Sequence, residues 1–193
     1  MKTYLFSLAA TLFFLGTTLQ AQNIYSTDSE RVVTKVLGTD SIHSNLSLSE
    51  NLEKIPAFSR QLEIFELIDF DKMTEQHQMV TVFVVRNTAF EAMDKEELEA
   101  FFSASNRQEL SSLQSYYIIP GRVDEHAIKR AVANGGGSAN FRAVNNKTIQ
   151  FVVEGETIHL FTENGSRSKL NETNFYHNKG LFHIAEKFPI QKK

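Results

Sequence analysis

The six histidines of this chain are the residues best suited to metal binding or to general acid–base catalysis: His43, His77, His126, His159, His177 and His183. A zinc site needs three or four ligands, with nitrogens about 2.0–2.1 Å from the metal, and a compact spacing such as HExxH is its usual signature. His177 and His183 share one segment, whereas His159 lies on a separate predicted strand. The spacing predicts no metal site, and we expect no cofactor.

Nucleophilic catalysis also lacks a sequence signature. No GxSxG-type elbow is present to supply an activated serine. The glycines at 135–137 follow a predicted helix and are not followed by Lys and Ser or Thr, so we interpret them as a turn and not as a phosphate loop. Carboxylates are numerous, but no pair stands out for glycoside hydrolysis, and most are typical of solvated faces. The sequence predicts that the protein is not an enzyme; a secreted hydrolase remains a third alternative.

The element that carries His183 is a predicted strand with an apolar sequence. His183 lies between Phe182 and Ile184, so its side chain is expected to point away from theirs. A second apolar run, residues 80–85, is typical of a strand covered on both faces. We therefore expect His183 to be a hydrogen-bonded histidine in the core or at its rim, and both runs to belong to the framework of the fold.

Helical patterns precede and follow the strand at residues 80–85. Ser47 and Glu50 match a capping box, and Pro56 is expected to open the next helix. Asn87 is predicted to cap a helix that begins at Ala89. Further helices are predicted at residues 96–102, at 107–119 with an end at Pro120 and Gly121, and at 124–133.

The periodicity changes from helical to alternating after residue 137. Two alternating segments, residues 148–153 and 156–161, flank Glu154 and Gly155 and predict a β-hairpin. A second turn at Asn164 and Gly165 leads toward the closing strand. Because helices come first and most strands come last, the order of elements predicts an α+β fold and not a parallel doubly wound sheet.

Residues 1–21 have the layout of a secretory signal peptide. Lys2 provides a positive start, an apolar run too short to span a bilayer comfortably follows, and Ala21 precedes the expected cleavage point. Residues 22–41 are predicted to be a flexible leader or a lightly docked segment, residues 42–190 one domain, and residues 191–193 a tail. The chain has no cysteine, so neither a disulfide nor a cysteine-linked lipid anchor is expected.

Three groups of residues resemble the fasciclin domain in their order and spacing. They are Thr81, Phe83, Asn87 and Phe90, then Tyr116 with Ile118, Ile119, Pro120 and Gly121, then Gly180, His183, Ile184 and Glu186. The resemblance covers residues 42–190. It implies a wedge of two β-sheets with several helices packed around it, and an extracellular module associated with adhesion.

The chain departs from the fasciclin pattern at four places. Val85 and Arg86 stand where Pro-Thr is usual, and Tyr117 replaces the histidine of a common Tyr-His pair. Lys179 stands where Asn usually precedes the glycine, and Glu186 where Asp is typical. The Tyr-His region is linked to integrin binding in animal members, so the missing histidine argues against that role here.

Aromatic side chains are the main candidates for contact with a partner. Tyr116, Tyr117 and Tyr176, with Phe175 beside it, predict a surface aromatic patch that would anchor a protein or a sugar ring. Alternatively, at least two of these four residues belong to the core. Arg86 is the remaining candidate, because an arginine at the strand–helix junction would meet a carboxylate.

The sequence thus predicts a secreted or periplasmic interaction module that binds a protein or a polysaccharide at the cell envelope or in the extracellular matrix. The leading alternative is a periplasmic or surface accessory protein that captures a carbohydrate or another nutrient ligand. The formal net charge is −3 and the basic residues are scattered, so no nucleic-acid surface is expected. No membrane span is expected after cleavage of the signal peptide.

Overall fold

The computed structural model describes residues 32–190, which contain nine β-strands and six α-helices. The strands are β1 (Thr34–Leu37), β2 (Asp40–His43), β3 (Val80–Val85), β4 (Ile118–Pro120), β5 (Ser138–Arg142), β6 (Thr148–Glu154), β7 (Thr157–Thr162), β8 (Arg167–His177) and β9 (Gly180–Ala185). The helices are α1 (Leu48–Leu52), α2 (Ser59–Ile68), α3 (Phe70–Thr74), α4 (Lys95–Phe101), α5 (Arg107–Tyr116) and α6 (Glu125–Asn134). The predicted signal peptide, residues 22–31 of the predicted leader and the predicted tail lie outside the described residues.

Seven of the strands join in the order β4-β3-β9-β8-β7-β6-β5, and β1 and β2 form a separate small sheet. β3 is parallel to β9 and antiparallel to β4. β8 connects the two halves of the large sheet, because its first residues pair with β7 and its later residues pair with β9. The pairing with β9 begins at Leu170 and contains register shifts between Leu170 and Phe175. The two sheets predicted for the wedge are thus continuous through β8, and the α+β fold is confirmed.

The helices begin where local capping chemistry predicts. Ser47 Oγ accepts the N–H of Glu50 at 3.1 Å, and the Glu50 carboxylate accepts the N–H of Ser47 at 2.7 Å. Pro56 opens a 3-10 turn that continues directly into α2. Asp124 caps α6 by accepting the N–H of Ala127 at 2.9 Å. Each cap satisfies a backbone donor that the helix itself leaves without a partner.

Asn87 caps a different helix from the one that the sequence predicts. It lies in a 3-10 turn, Asn87–Phe90, to which its side chain gives no cap. Its Oδ1 accepts the N–H of Arg60 at 3.0 Å, and its Nδ2 donates to the carbonyl of Pro56 and the hydroxyl of Ser59, both at 3.0 Å. Asn87 therefore caps the start of α2. It links the segment after β3 to residues 56–60, which lie far away in the sequence.

Outside the N-terminal hairpin, three strands differ from the sequence-based prediction. The helix predicted to reach residue 119 ends at Tyr116, because the backbone of Ile118–Pro120 pairs with β3 instead. β5 and β8 are largely polar and lack the apolar alternation that reveals a strand. Pairing with neighbouring strands decides their conformation, which local patterns do not report.

The predicted flexible leader is wrong for its last residues. β1 and β2 form a hairpin at 34–43, in which Leu37 is 3% exposed and Ile42 is 1% exposed. Both side chains belong to the main apolar core. The ordered unit therefore includes residues 32–41, which the sequence assigned to the leader. Within residues 32–190, no helix combines the length and apolar composition needed to cross a bilayer.

Candidate interaction surface

His183 is a fully buried residue of β9, as the sequence predicts. Its Nε2–H donates to the carbonyl oxygen of Val123 at 2.9 Å, and its Nδ1 accepts the N–H of Asn174 at 3.2 Å. The ring stacks on Phe83 with 5.4 Å between the centroids. Burial lowers the pKa of His183 to about 4, so the ring is neutral at pH 7. Because backbone groups occupy both nitrogens, neither is available to a substrate or a metal.

Thr81 organises the loop that follows β4. Its hydroxyl donates to the carbonyl oxygen of Gly121 and accepts the N–H of Val123, both at 2.8 Å. The carbonyl oxygen of Val123 in turn accepts a hydrogen bond from the Nε2–H of His183. Thr81, Gly121, Val123 and His183 thus form one connected set of hydrogen bonds, which holds β3, β9 and the β4–α6 loop together.

Gly180 and Phe90 contribute to the packing of the fold. A Cβ on Gly180 would lie 2.0 Å from the carbonyl oxygen of Val80, and φ at Gly180 is 139°, a value that favours glycine. Phe90 packs its ring against those of Phe102 and Phe188, with centroids 5.4 and 5.9 Å away. Neither residue offers a surface to a partner.

Among the residues that resemble the fasciclin domain, Pro120 and Glu186 are exposed. Pro120 ends β4 opposite Val80. The backbone N–H of Glu186 donates to the carbonyl of Lys169 at 2.9 Å, and its carboxylate lies 3.8 Å from the Lys169 ammonium. Pro120 therefore ends β4 at the surface, and Glu186 directly follows the end of β9 there.

Tyr117, predicted to contact a partner, lies in the core. It is fully buried, its hydroxyl donates to the carbonyl oxygen of Lys187 at 2.6 Å, and its ring meets Phe83 edge-on at 6.0 Å. Burial raises the pKa of this hydroxyl well above its usual range. Phe175 is 1% exposed and stacks on Phe182. The predicted aromatic patch is wrong for these two residues, and the alternative that two of the four aromatics belong to the core is correct.

Arg86 meets a carboxylate of its own chain. Its guanidinium forms an ion pair with Glu172 of β8, and the two side chains are 30% and 38% exposed. The guanidinium also lies 5.6 Å from the centroid of the Phe58 ring. This pair ties the end of β3 to β8, so Arg86 already has an acidic partner inside the domain.

Tyr176 stays at the surface with a cation over its ring. The Arg122 guanidinium lies 5.0 Å from the ring centroid and donates to the Tyr176 hydroxyl at 3.0 Å. Arg122 is exposed and Tyr176 is half-buried. Sequence reasoning missed Arg122, because the two residues are far apart in the chain and Arg122 lies in an unremarkable loop after Gly121.

The four predicted binding residues do not form one site. Tyr176 pairs with Leu181, which lies beside Thr81 at the start of β3, whereas Arg86 follows the end of β3. Five residues of extended strand separate these two levels by about 16 Å. Tyr116 ends α5 and packs, half-buried, against the core. Of the predicted set, half-buried Tyr176 forms an aromatic and cationic pair with exposed Arg122, which the sequence did not predict.

The described surface includes the following two open clefts. The larger, of about 370 Å³, is lined by Ser49, Glu53, Leu62, Phe65, Glu66, Asp69, Phe70, Asp71 and Arg107. The smaller, of about 270 Å³, is lined by His159, Arg167, Ser168, Lys169, Glu186 and Lys187. Within residues 32–190, no group of three or more His, Asp or Glu side chains is arranged to hold a metal ion.

Comparison with known proteins identifies the family of this chain and a solved structure with a similar fold. A family model described as the fasciclin domain matches residues 56–188, which is more than half of the chain. The fold is similar to that of a FAS1 domain pair from the insect cell adhesion molecule fasciclin I, with a TM-score of 0.62, 12% sequence identity, and coverage of 83% of this chain and 67% of that chain. No curated protein matches the chain. The matched segment contains Thr81, Asn87, Gly180 and His183 in their framework positions, and the chain belongs to the fasciclin domain family.

Proposed function

We propose that this protein is a secreted interaction module that binds a protein or a polysaccharide at the cell envelope or in the extracellular matrix. The fasciclin domain is a cell-adhesion-type module. The observation that carries the proposal is the use of the motif side chains: Thr81, Asn87 and His183 all make hydrogen bonds within the domain. A partner must therefore meet other side chains, on the outer surface.

The surface that we favour is the pair formed by Tyr176 and Arg122. Tyrosine and arginine are enriched among residues that dominate binding energy, because each offers a large contact area together with a polar group. The Tyr176 ring can pack on a sugar ring or an apolar side chain, and the Arg122 guanidinium can bind a carboxylate. This chemistry fits an acidic polysaccharide or an acidic segment of a protein.

Affinity capture tests the proposed function. The purified chain is immobilised and exposed to an envelope extract, and in parallel it is applied to a glycan array. We expect a protein or an acidic polysaccharide to be retained. Retention of a single neutral sugar class, with no protein or acidic polysaccharide, would support the carbohydrate-capture alternative and contradict the adhesive function.

Variants of the two residues locate the binding surface. Tyr176→Ala and Arg122→Ala are each expected to weaken binding of the captured partner by about tenfold. Arg130→Ala is the matched control, since Arg130 is an exposed arginine on α6. Unchanged binding in both variants would exclude this surface.

A further inference from the structure

β1 has one free edge. It pairs with β2 alone in a two-stranded sheet, and within residues 32–190 no strand covers its other side. The N–H of Ser44 donates to the carbonyl of Val33 at 2.9 Å, so Val33 turns its backbone groups toward β2. Successive residues of an antiparallel strand turn their backbone groups in opposite directions. The N–H and C=O groups of Thr34 and Val36 therefore point away from β2.

The same segment exposes apolar side chains. Val32 is 46% exposed, Val33 48% and Val36 65%; the remaining large apolar side chain that is exposed in the described residues, Met79, lies elsewhere. Free strand edges are normally protected by lysine, proline or a bulge, because they otherwise pair with another chain. This edge has neither a proline nor a bulge.

The one charged residue between positions 32 and 39 does not protect the edge. The Lys35 ammonium donates to the carbonyl of Thr173 and lies 4.4 Å from the centroid of the Phe175 ring. Its charge is thus directed toward β8, on the face that also buries Leu37. Thr34 and Val36 occupy the opposite face of β1.

We propose that β1 pairs with β1 of a second copy of this chain, antiparallel about a two-fold axis, and so forms a continuous four-stranded sheet. The inference rests on the proposed function and names one partner for it, another copy of the same module. A two-fold interface requires a self-complementary surface. The face of β1 that carries Thr34 and Val36 is uncharged, both residues have backbone groups that point away from β2, and this edge meets that requirement.

Charge selects the register of this pairing. If Thr34 faces the partner's Val36, then Lys35 faces the partner's Lys35, and like charges directly opposite each other are destabilising. If Thr34 faces the partner's Thr34, then Val32 faces the partner's Val36 and Lys35 faces Val33. This second register brings no charged pair together, and threonine pairs and valine pairs are favourable cross-strand neighbours.

The expected affinity is low. A single strand pair falls at the small end of protein interfaces, where complexes are transient. Many copies at one surface would add their contacts through effective concentration. Such a weak self-contact suits a module that holds surfaces together through many copies.

Sedimentation velocity over a range from micromolar to millimolar protein tests the proposal. The chain is purified after expression of the full sequence. We expect the weight-average mass of the natural chain to rise toward twice that of the monomer. Thr34→Lys and Thr34→Glu, each alone, are expected to weaken self-association by about tenfold or more, because each places like charges opposite each other. Met79→Lys, which removes an exposed apolar side chain elsewhere, is expected to leave it unchanged.

Mixing the two charged variants tests the register. Thr34→Lys and Thr34→Glu are expected to associate with each other at least as well as the natural chain does, since residue 34 then faces an opposite charge. A natural chain that stays monomeric, or a mixture that does not associate, would overturn the inference. If the monomeric chain still captures its envelope partner, the proposed function stands without the self-contact.

Discussion

His177 and His183 are buried bases that the fold keeps neutral. Burial lowers the pKa of each to about 4, from an ordinary value of 6.5. Between these values the unfolded chain binds more protons than the folded one, so stability rises with pH. The contribution is fully present above about pH 6.5 and is lost as the pH falls toward 4. The pKa of Glu125 is lowered, first by its hydrogen bond from Thr173. Carboxylates of this kind therefore affect stability at pH values below the range in which the histidines act.

Acidification is therefore expected to destabilise the domain before the carboxylates titrate. Each of the two histidines contributes a loss of about 2 kcal/mol in the free energy of unfolding between pH 6.5 and 5. Urea denaturation at the two pH values measures this change. A free energy of unfolding that is equal at pH 6.5 and 5 would contradict the buried, neutral state of both rings.

Replacing His183 separates the two histidines. His183→Gln is expected to halve this pH dependence and to cost about 1–3 kcal/mol at pH 7, because it disturbs the bonds to Val123 and Asn174. His126→Gln, on the exposed side of α6, is the control and is expected to leave the stability at pH 7 unchanged. An unchanged pH dependence in His183→Gln would show that His183 is not one of the titrating groups.

At the scale of elements, single asparagines join segments that are distant in the sequence. Asn87 links the end of β3 to the start of α2 through three hydrogen bonds. Asn174 of β8 accepts the N–H of Glu125 at 2.8 Å, at the start of α6, and donates its own backbone N–H to His183. These side chains fix the placement of two helices against the sheet.

Loss of the Asn87 side chain is expected to destabilise the domain. Asn87→Ala removes the acceptor for the N–H of Arg60, and the loss of such a cap costs about 0.5–2 kcal/mol. Thermal or urea unfolding measures the difference. Thr88→Ala, at the exposed neighbouring position, is the control. Equal free energies of unfolding for Asn87→Ala and the control would mean that the Asn87 cap does not contribute to stability.

Two substitutions at Asn174 separate its cap from its backbone conformation. Its φ is 62°, in the left-handed region that glycine adopts without strain. Asn174→Gly keeps this conformation and loses the cap, whereas Asn174→Ala loses both, so alanine is expected to be less stable than glycine by about 1 kcal/mol. Comparison of the two unfolding free energies tests this order. The reverse order would contradict a requirement for positive φ at this position.

Local patterns predicted those elements whose signal is contained within a few residues. The cap at Ser47 and the hairpin of β6 and β7 are of this kind. β4 was assigned to a helix because its strand conformation depends on β3, and β8 was missed because it is mostly polar. The pair of Tyr176 and Arg122 arises from the juxtaposition of distant segments, which no local spacing encodes.

For the whole molecule, the N-terminal boundary of the domain is the main change from the sequence-based account. The β1–β2 hairpin is part of the core and does not belong to a flexible leader. Leu37→Ala is expected to cost about 2–5 kcal/mol, since Leu37 lies within the predicted leader, is buried in the core, and would leave a cavity. Val36→Ala, at an exposed position of the same hairpin, is expected to change stability by less than about 0.5 kcal/mol. A similarly small effect of Leu37→Ala would mean that residues 32–41 behave as the flexible leader that the sequence predicts.

The central claim is that the motif residues support the fold while the outer surface binds. Its most direct test is the affinity of the captured envelope partner for three folded forms of the chain: natural, His183→Gln and Tyr176→Ala. We predict that His183→Gln binds like the natural chain under conditions where it is fully folded, and that Tyr176→Ala binds about tenfold more weakly. Loss of binding in folded His183→Gln together with natural affinity in Tyr176→Ala would contradict the claim.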